Sequence, residues 1–255
     1  MKYILKKSLG QHFLKDENIC TRIVDAVLSE KPVHLLEIGP GAGAITKYFL
    51  EKNNHFEFIT FDIDQEKIEY LQHVYPTHKK VFVLQDILKA TPPFSDSFIV
   101  VGNFPYNIST QILFKMIEWR NQVPVIIGMF QKEVADRVAA KEGSRTYGII
   151  SVLIQAFYEV ELLFHVEPGS FNPPPKVRSS VIRLRRKNEI PLMTSIEDFF
   201  ILVKTAFQQR RKMLRNGLKT LLPPEVLEDL FFQKRAEQLS VAEWAALTYK
   251  MTRNL

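Results

Sequence analysis

Cysteine is nearly absent. The 255 residues include one, Cys20, so no internal disulfide can form and a disulfide-stapled secreted scaffold is excluded. Long apolar runs are missing as well: the longest, residues 123–130 around Pro124, is the length of a strand and far short of the roughly 18 residues of a membrane span. Neither an internal repeat nor a low-complexity tract interrupts the chain, which excludes solenoid and fibrous architectures. At the N-terminus, Lys2, Lys6 and Lys7 stand where a signal peptide needs its apolar core. His34, His55, His73, His78 and His165 have no ligand spacing with Cys20 or with the acids, so no metal site is expected. These absences predict a cytoplasmic protein with neither a membrane nor a metal partner. Cys20 itself falls in a helical apolar pattern and reads as a core residue.

What is present is ordinary in amount and uneven in position. Hydrophobic residues make up 46% and charged ones 24%, globular values that exclude wholesale disorder. A chain of this length buries about 70% or more of its unfolded surface and fits one large domain with a smaller appendage. Residues 1–175 carry 18 Lys and Arg against 20 Asp and Glu, whereas residues 176–255 carry 16 against 8. A near-neutral body with a basic tail is the asymmetry expected when one part handles a small ligand and another meets a polyanion. A solvated basic surface is the alternative.

From residue 34 to 130, short apolar runs (33–38, 56–62, 81–84, 98–102 and 123–130) alternate with helix-length segments at 45–52, 65–74 and 110–119. Continuous rather than alternating apolar runs point to a parallel sheet covered on both faces, a doubly wound α/β domain. Residues 157–164 and 179–185 read as two more strands, joined by a loop that the Pro173-Pro174-Pro175 stretch keeps out of helix and central strand. Beyond a break at residues 188–191 the pattern turns helical. The expected division is 1–188 and 189–255.

Glu37-Ile38-Gly39-Pro40-Gly41-Ala42-Gly43 closes the first of these strands and opens a helix, so its glycines let the backbone pass close to a ligand in the crevice of the sheet. Ala44 stands where the pyrophosphate-binding form carries its last Gly or Ala, which weakens a dinucleotide site without excluding one. Asp62 lies at the end of the next strand, where a carboxylate can take both ribose hydroxyls; Asp64 could do the same or cap the following helix. Asp86 follows the third strand, within reach of an adenine amino group. Gly, Asp and Asp at three successive strand ends suit an adenosine-containing cofactor.

Gly102-Asn103-Phe104-Pro105-Tyr106-Asn107 comes after the fourth strand. An exocyclic amine on a base is a poor nucleophile because its lone pair is delocalised into the ring. The Asn103 side chain and the Phe104 carbonyl supply two acceptors that can hold both amine protons, and Tyr106 offers a face for stacking. Such a site needs no metal, since positioning and electrostatics carry the transfer.

Together with Ser8-Leu9-Gly10-Gln11-His12-Phe13-Leu14, Phe171-Asn172-Pro173-Pro174-Pro175-Lys176-Val177-Arg178-Ser179 and Ala206-Phe207-Gln208-Gln209-Arg210-Arg211-Lys212-Met213-Leu214-Arg215, these motifs make the chain resemble the KsgA/RsmA family of ribosomal RNA adenine N6,N6-dimethyltransferases over nearly its whole length. The resemblance implies a mostly parallel, seven-stranded Rossmann-like methyltransferase sheet, a small all-helical C-terminal domain, and S-adenosylmethionine as cofactor. It implies that His12 and Leu14 line the methionine side, with Gly39 and Gly41 against it. Asp62 would hold the ribose, Asp86 the adenine amine, and Asn103 both cofactor and target; Tyr106 and Phe171 would sandwich the target adenine. The implied substrate is a pair of adjacent adenines near the 3′ end of 16S ribosomal RNA in the small ribosomal subunit, met by a monomer. Three departures stand out: His12 replaces a frequent Asn, Asp62 a more usual Glu, and Phe104 a common Leu.

Residues 199–221 read as one helix, with Phe199, Val203, Phe207, Leu214, Leu218 and Leu221 on its apolar face. Lys204, Arg211, Lys212, Arg215 and Lys219 fall in an arc beside that face with few acidic partners. With Arg183, Arg185 and Arg186 they form an expected RNA-backbone surface. Rival readings are a large-subunit (23S) ribosomal RNA adenine methyltransferase of the macrolide-resistance group, a non-catalytic assembly factor, and a nicotinamide-dependent oxidoreductase.

Overall fold

The structure, a computed structural model, describes residues 12–52 and 55–252. Its main sheet has seven strands. In chain order they are β2 (His34–Ile38), β3 (Glu57–Asp62), β4 (Phe82–Leu84), β5 (Ile99–Asn103), β6 (Val125–Gln131), β7 (Tyr158–Val166) and β9 (Ser179–Arg186), arranged β4-β3-β2-β5-β6-β9-β7. The first five pair in parallel and β9 runs antiparallel to β6, from Val125 opposite Arg185 to Gln131 opposite Ser179. A separate two-stranded ribbon joins β1 (Phe13–Leu14) to β8 (Phe171–Asn172).

The central strands are apolar on both faces because both faces are buried. Leu35, Val101 and Ile127 join a core with Ile23 of α1 (Glu17–Leu28), Phe49 of α2 (Thr46–Lys52) and Leu71 of α3 (Gln65–Val74). Leu36, Val100 and Ile126 point to the opposite side of the pleat and are equally inaccessible. Local signals set the helix starts. Asp16 caps α1 by accepting from the Asn18 and Ile19 amides, and Asp64 caps α3 by accepting from Glu66. Cys20 lies buried in α1, where desolvation pushes its thiol up to about 12. Helices α4 (Ser109–Glu118) and α5 (Lys132–Val138) complete this part of the chain.

The chain divides into two compact units. One takes the residues up to Ala135 together with Val160–Arg186; the other takes Asp136–Glu159 and the residues from Lys187 onward. The second unit therefore includes α6 (Ile149–Gln155), a stretch that the division at residue 188 puts with the sheet. Its other helices are α7 (Ile196–Gln208), α8 (Leu214–Gly217), α9 (Pro224–Leu227) and α10 (Val241–Leu247), around buried Tyr147, Phe199, Phe232 and Trp244. The single helix expected over 199–221 is not formed. It ends at Gln208, where the like-charged run Arg210-Arg211-Lys212 begins nearby and where downstream chain competes for the backbone: Met213 bridges to Arg235, and the Leu214 amide donates to the Lys234 carbonyl at 2.8 Å. No helix among the described residues is long and apolar enough to cross a membrane.

One packing detail fixes the height of the turn after β5. Gly102 and Gly128 are register partners on β5 and β6, and the Phe104 ring lies over them. A Cβ on Gly128 would sit 2.4 Å from the Phe104 ring and 2.5 Å from that of Phe130; one on Gly102 would sit 2.5 Å from the Ile38 carbonyl. We expect Gly128→Ala to destabilise the fold by about 1–3 kcal/mol through overpacking. Phe104→Leu should recover part of that loss and a smaller part of the loss from Gly102→Ala, where the ring would stand at 2.7 Å but the Ile38 carbonyl, at 2.5 Å, is backbone and stays in place. Urea midpoints of the single and double variants check this; no coupling between Gly128→Ala and Phe104→Leu would show that the ring is not the obstacle.

Candidate cofactor and base site

Because β2 to β6 run parallel, their C-terminal ends share one edge of the sheet, the place where ligands bind in open α/β folds. A cleft opens there, lined among others by His12, Gly39, Gly41, Asp62, Asn103 and Tyr106, so most of the residues implied for the cofactor and the target base converge. Gly39 and Gly41 have φ of 71° and 61°, in the left-handed region where a side chain is strained, and the Gly39 amide donates to the Phe61 carbonyl at 2.8 Å. A Cβ on Gly41 would approach the Phe13 ring at 3.2 Å. The loop is thus held open as bare backbone against the cleft, a cradle that suits the amino-acid end of S-adenosylmethionine.

Asp62 ends β3 and is 6% exposed. Its Oδ1 accepts from the Asp64 amide at 3.0 Å and its Oδ2 from Lys67 Nζ at 3.1 Å. Asp64 is occupied as the cap of α3, so of the two candidate acids Asp62 is the one that borders the cleft. Ile63, 61% exposed, and buried Ile87 add apolar walls suited to a flat ring. Gln85 and Ile87 line the cleft, whereas Asp86 between them turns its carboxylate to its own loop, accepting from the Leu88 amide at 3.0 Å. Leu14 is buried in the core.

Across the cleft, Asn103 Nδ2 donates to the His12 carbonyl at 3.2 Å, which orients the amide and leaves its oxygen as an acceptor. The His12 ring stacks on Tyr106 with centroids 5.6 Å apart, and its Nδ1 is 2.8 Å from the Pro173 carbonyl oxygen. Tyr106 Oη shares a hydrogen bond of 2.6 Å with Ser179 Oγ, and burial pushes its phenol above the usual range. Phe104 is fully buried by its ring. Phe171 is 1% exposed and packs in the core opposite Leu14, so the ring that the structure sets beside Tyr106 is His12 and not Phe171. Ser8 to Gln11 lie outside the described residues.

Of the expected basic surface, Lys204, Arg211, Lys212 and Lys219 are exposed, while Arg215 is half-buried with its Nε lacking a hydrogen-bond partner. The arc expected along one helix does not form, because the helix ends at Gln208, before Arg211. Arg183 and Arg185 are charge-paired: both meet Glu30 and Glu161, Arg185 while still exposed, and exposed Arg186 donates to the Arg120 and Asn121 carbonyls.

Two site residues escaped the sequence. Glu37, directly before the glycine loop, is 1% exposed and accepts from Thr46 Oγ1 at 2.8 Å. Burial raises its carboxyl to about 8, the Thr46 bond opposes this, and the nearby Asp62 charge adds to it. Lys67, buried beside Asp62, is the other. Glu37 stays protonated in the fold over a range where the unfolded chain ionises, so its contribution to stability falls as pH rises from about 4.5 to 8 and is level above that. Glu37→Gln should remove this slope, at most about 1.4 kcal/mol per pH unit. Urea midpoints at pH 5 and pH 8 test it; a slope unchanged by the substitution would assign the pH dependence elsewhere.

Residues 4–252 match the profile of the family described as ribosomal RNA adenine dimethylase. A Cytophaga hutchinsonii protein named ribosomal RNA small subunit methyltransferase A is 52% identical over 247 residues, 95% of each chain. One of the same name from Flavobacterium johnsoniae is 51% identical over 96% of this chain and 95% of its own. Among solved structures, a dimethyladenosine transferase from Plasmodium falciparum superposes with a TM-score of 0.76 at 26% identity, covering 91% of this chain and 94% of that one. The 23S rRNA methyltransferase ErmE has the same fold, with a TM-score of 0.71 at 23% identity over 94% of this chain and 99% of its own.

Proposed function

Since the chain belongs to the ribosomal RNA adenine dimethylase family, we propose that it transfers methyl groups from S-adenosylmethionine to N6 of two adjacent adenines near the 3′ end of 16S ribosomal RNA during small-subunit assembly, in the cytoplasm. The observation that supports this most is the convergence of the Gly39–Gly41 backbone, Asp62 and the Asn103–Tyr106 turn on one cleft. The names of the relatives favour the small subunit over the large one.

When bound, S-adenosylmethionine supplies an electrophilic methyl on a sulfonium. The chain's own work is placement. Gly39, Gly41 and His12 hold the amino-acid end, Asp62 accepts from the ribose, and Ile63 and Ile87 enclose the purine. The Asn103 oxygen and the Phe104 carbonyl accept from the two protons of the target amine, which localises its lone pair towards the methyl. As the nitrogen becomes cationic those acceptors strengthen, so they act on the transition state more than on binding. Tyr106, anchored by Ser179, offers its face to the base. Arg211, Lys212 and Lys219, for which no carboxylate partner is present among the described residues, and Lys204 meet phosphates.

Labelled methyl groups should pass from S-adenosylmethionine to purified unmethylated small subunits and not to large subunits. Asn103→Ala should slow single-turnover transfer by about a hundredfold or more while changing cofactor affinity much less. Transfer to large subunits alone would select the macrolide-resistance reading, and no transfer to either would select the assembly factor.

The RNA surface has its own test. Replacing Arg211, Lys212 and Lys219 together with Gln should reduce the slope of log affinity against log salt by roughly two to three, at unchanged cofactor affinity. A slope equal to that of the unmodified chain would make these three residues solvated surface.

A further inference from the structure

Lys67 is a buried cation that the fold alone does not require. It is the third residue of α3, in the turn where the partial positive charge of the helix end disfavours a cation. Its side chain is 9% exposed, in a wall of the cleft. Burying an ammonium is costly, and an apolar chain of similar length fills such a volume without that cost. Asp62 already has a partner for Oδ1 in the Asp64 amide. A residue that conflicts with both its helix position and its burial belongs to the class of local conflicts that concentrate at functional sites.

We infer that Lys67 is a positioning and specificity residue for the cofactor's ribose: its ammonium orients the Asp62 carboxylate towards one ribose hydroxyl and donates a further N–H to the oxygen of the neighbouring hydroxyl. The inference rests on the cofactor reading above. Its physical content is complementarity. Each hydroxyl of a vicinal diol is both donor and acceptor, and an ionised Asp62 can only accept. Lys67 can only donate, has three N–H groups, and spends one on Asp62 Oδ2 at 3.1 Å. Acceptor and donor side by side at the end of β3 match the two hydroxyls of a ribose and mismatch a deoxyribose. The paired charges also keep the ribose end of the cleft close to neutral.

The test is equilibrium binding of S-adenosylhomocysteine and its 2′-deoxy and 3′-deoxy ribose analogues to the full chain and to Lys67→Met, Lys67→Leu and Lys67→Arg. In the unmodified chain each missing hydroxyl should weaken binding about tenfold. In Lys67→Met the parent compound should bind about tenfold more weakly and at least one deoxy penalty should disappear. Lys67→Arg, which keeps a cationic donor, should restore part of both. In methyl transfer, Lys67→Met should raise KM for S-adenosylmethionine more than it lowers kcat, whereas a purely structural defect lowers the active fraction and hence kcat. Deoxy penalties equal in Lys67→Met and the unmodified chain would overturn the inference and leave a structural ion pair. If Lys67→Met does not fold, Lys67→Leu, which likewise has no donor, carries the same comparison, and equal penalties there overturn it. A chain that fails to bind the parent compound at all overturns the cofactor reading together with this one.

Discussion

The arrangement of the cleft depends on how closely β5 and β6 approach the turn that follows β5. Glycines stand opposite one another on the two strands, and the Phe104 ring occupies the space that two side chains would fill. With the ring seated, the Phe104 amide reaches the Met129 carbonyl at 3.3 Å, and the residues on either side are committed. Asn103 is held at the cleft with its amide turned by the His12 carbonyl, and Pro105 begins a turn in which Tyr106 is anchored to Ser179. Acceptors that act on a developing charge are effective only when held in advance, because reorganising them during the reaction costs what they gain. Here the pre-organisation comes from packing under the turn and needs no added strain in it.

Around that turn the charges are few and mutually compensated. Glu37 lies behind the glycine loop at full burial, where it stays protonated at neutral pH, and Asp62 has Lys67 and the Asp64 amide about it. Ionising Glu37 beside Asp62 would put two carboxylates in one desolvated region, and the rise in its pKa is the physical expression of that penalty. The cleft wall therefore presents one ion pair and several neutral hydrogen-bonding groups. A cationic sulfonium entering such a wall meets no net positive charge.

The sheet was legible because its signal is redundant. Five apolar runs with helical spacers specify a parallel core several times over, and the observed strands fall within a residue or two of them. The glycine loop, Asp62 and the Asn103–Tyr106 turn were legible because each sits at a strand end, where backbone position alone determines which edge a residue reaches. Side-chain direction was not legible. Asp86 lies at the expected place in the chain with one carboxylate oxygen accepting from the Leu88 amide, and Phe171 lies near the expected position with its ring in the core. Burial hid Lys67, because a charged residue in a polar-looking segment carries no mark of being inside; Glu37 did carry one, standing in the apolar run 33–38 that reads as a buried strand. The helix drawn over 199–221 failed for a different reason: its periodicity was sound, and a contact from residues 234–235 took the backbone at 213–214.

Charge counted along the chain and charge available at a surface are different quantities, and the basic tail separates them. Three of its cations, Arg183, Arg185 and Arg186, lie on the last strand; the first two pair with carboxylates of the sheet unit, and Arg186 donates to backbone carbonyls there. Glu30 lies at the end of the first helical segment and Glu161 on β7, so the near-neutral first part of the sequence and the basic second part are complementary because they pair. Arg210 likewise turns inward to the Arg145 carbonyl. On the proposed reading, what is left for a polyanion is Lys204 on α7, the segment after α7 with Arg211 and Lys212, and Lys219 just beyond α8, all of them exposed. Counterion release scales with phosphates neutralised, so the affinity of this surface follows from those few cations and not from the net charge of the tail.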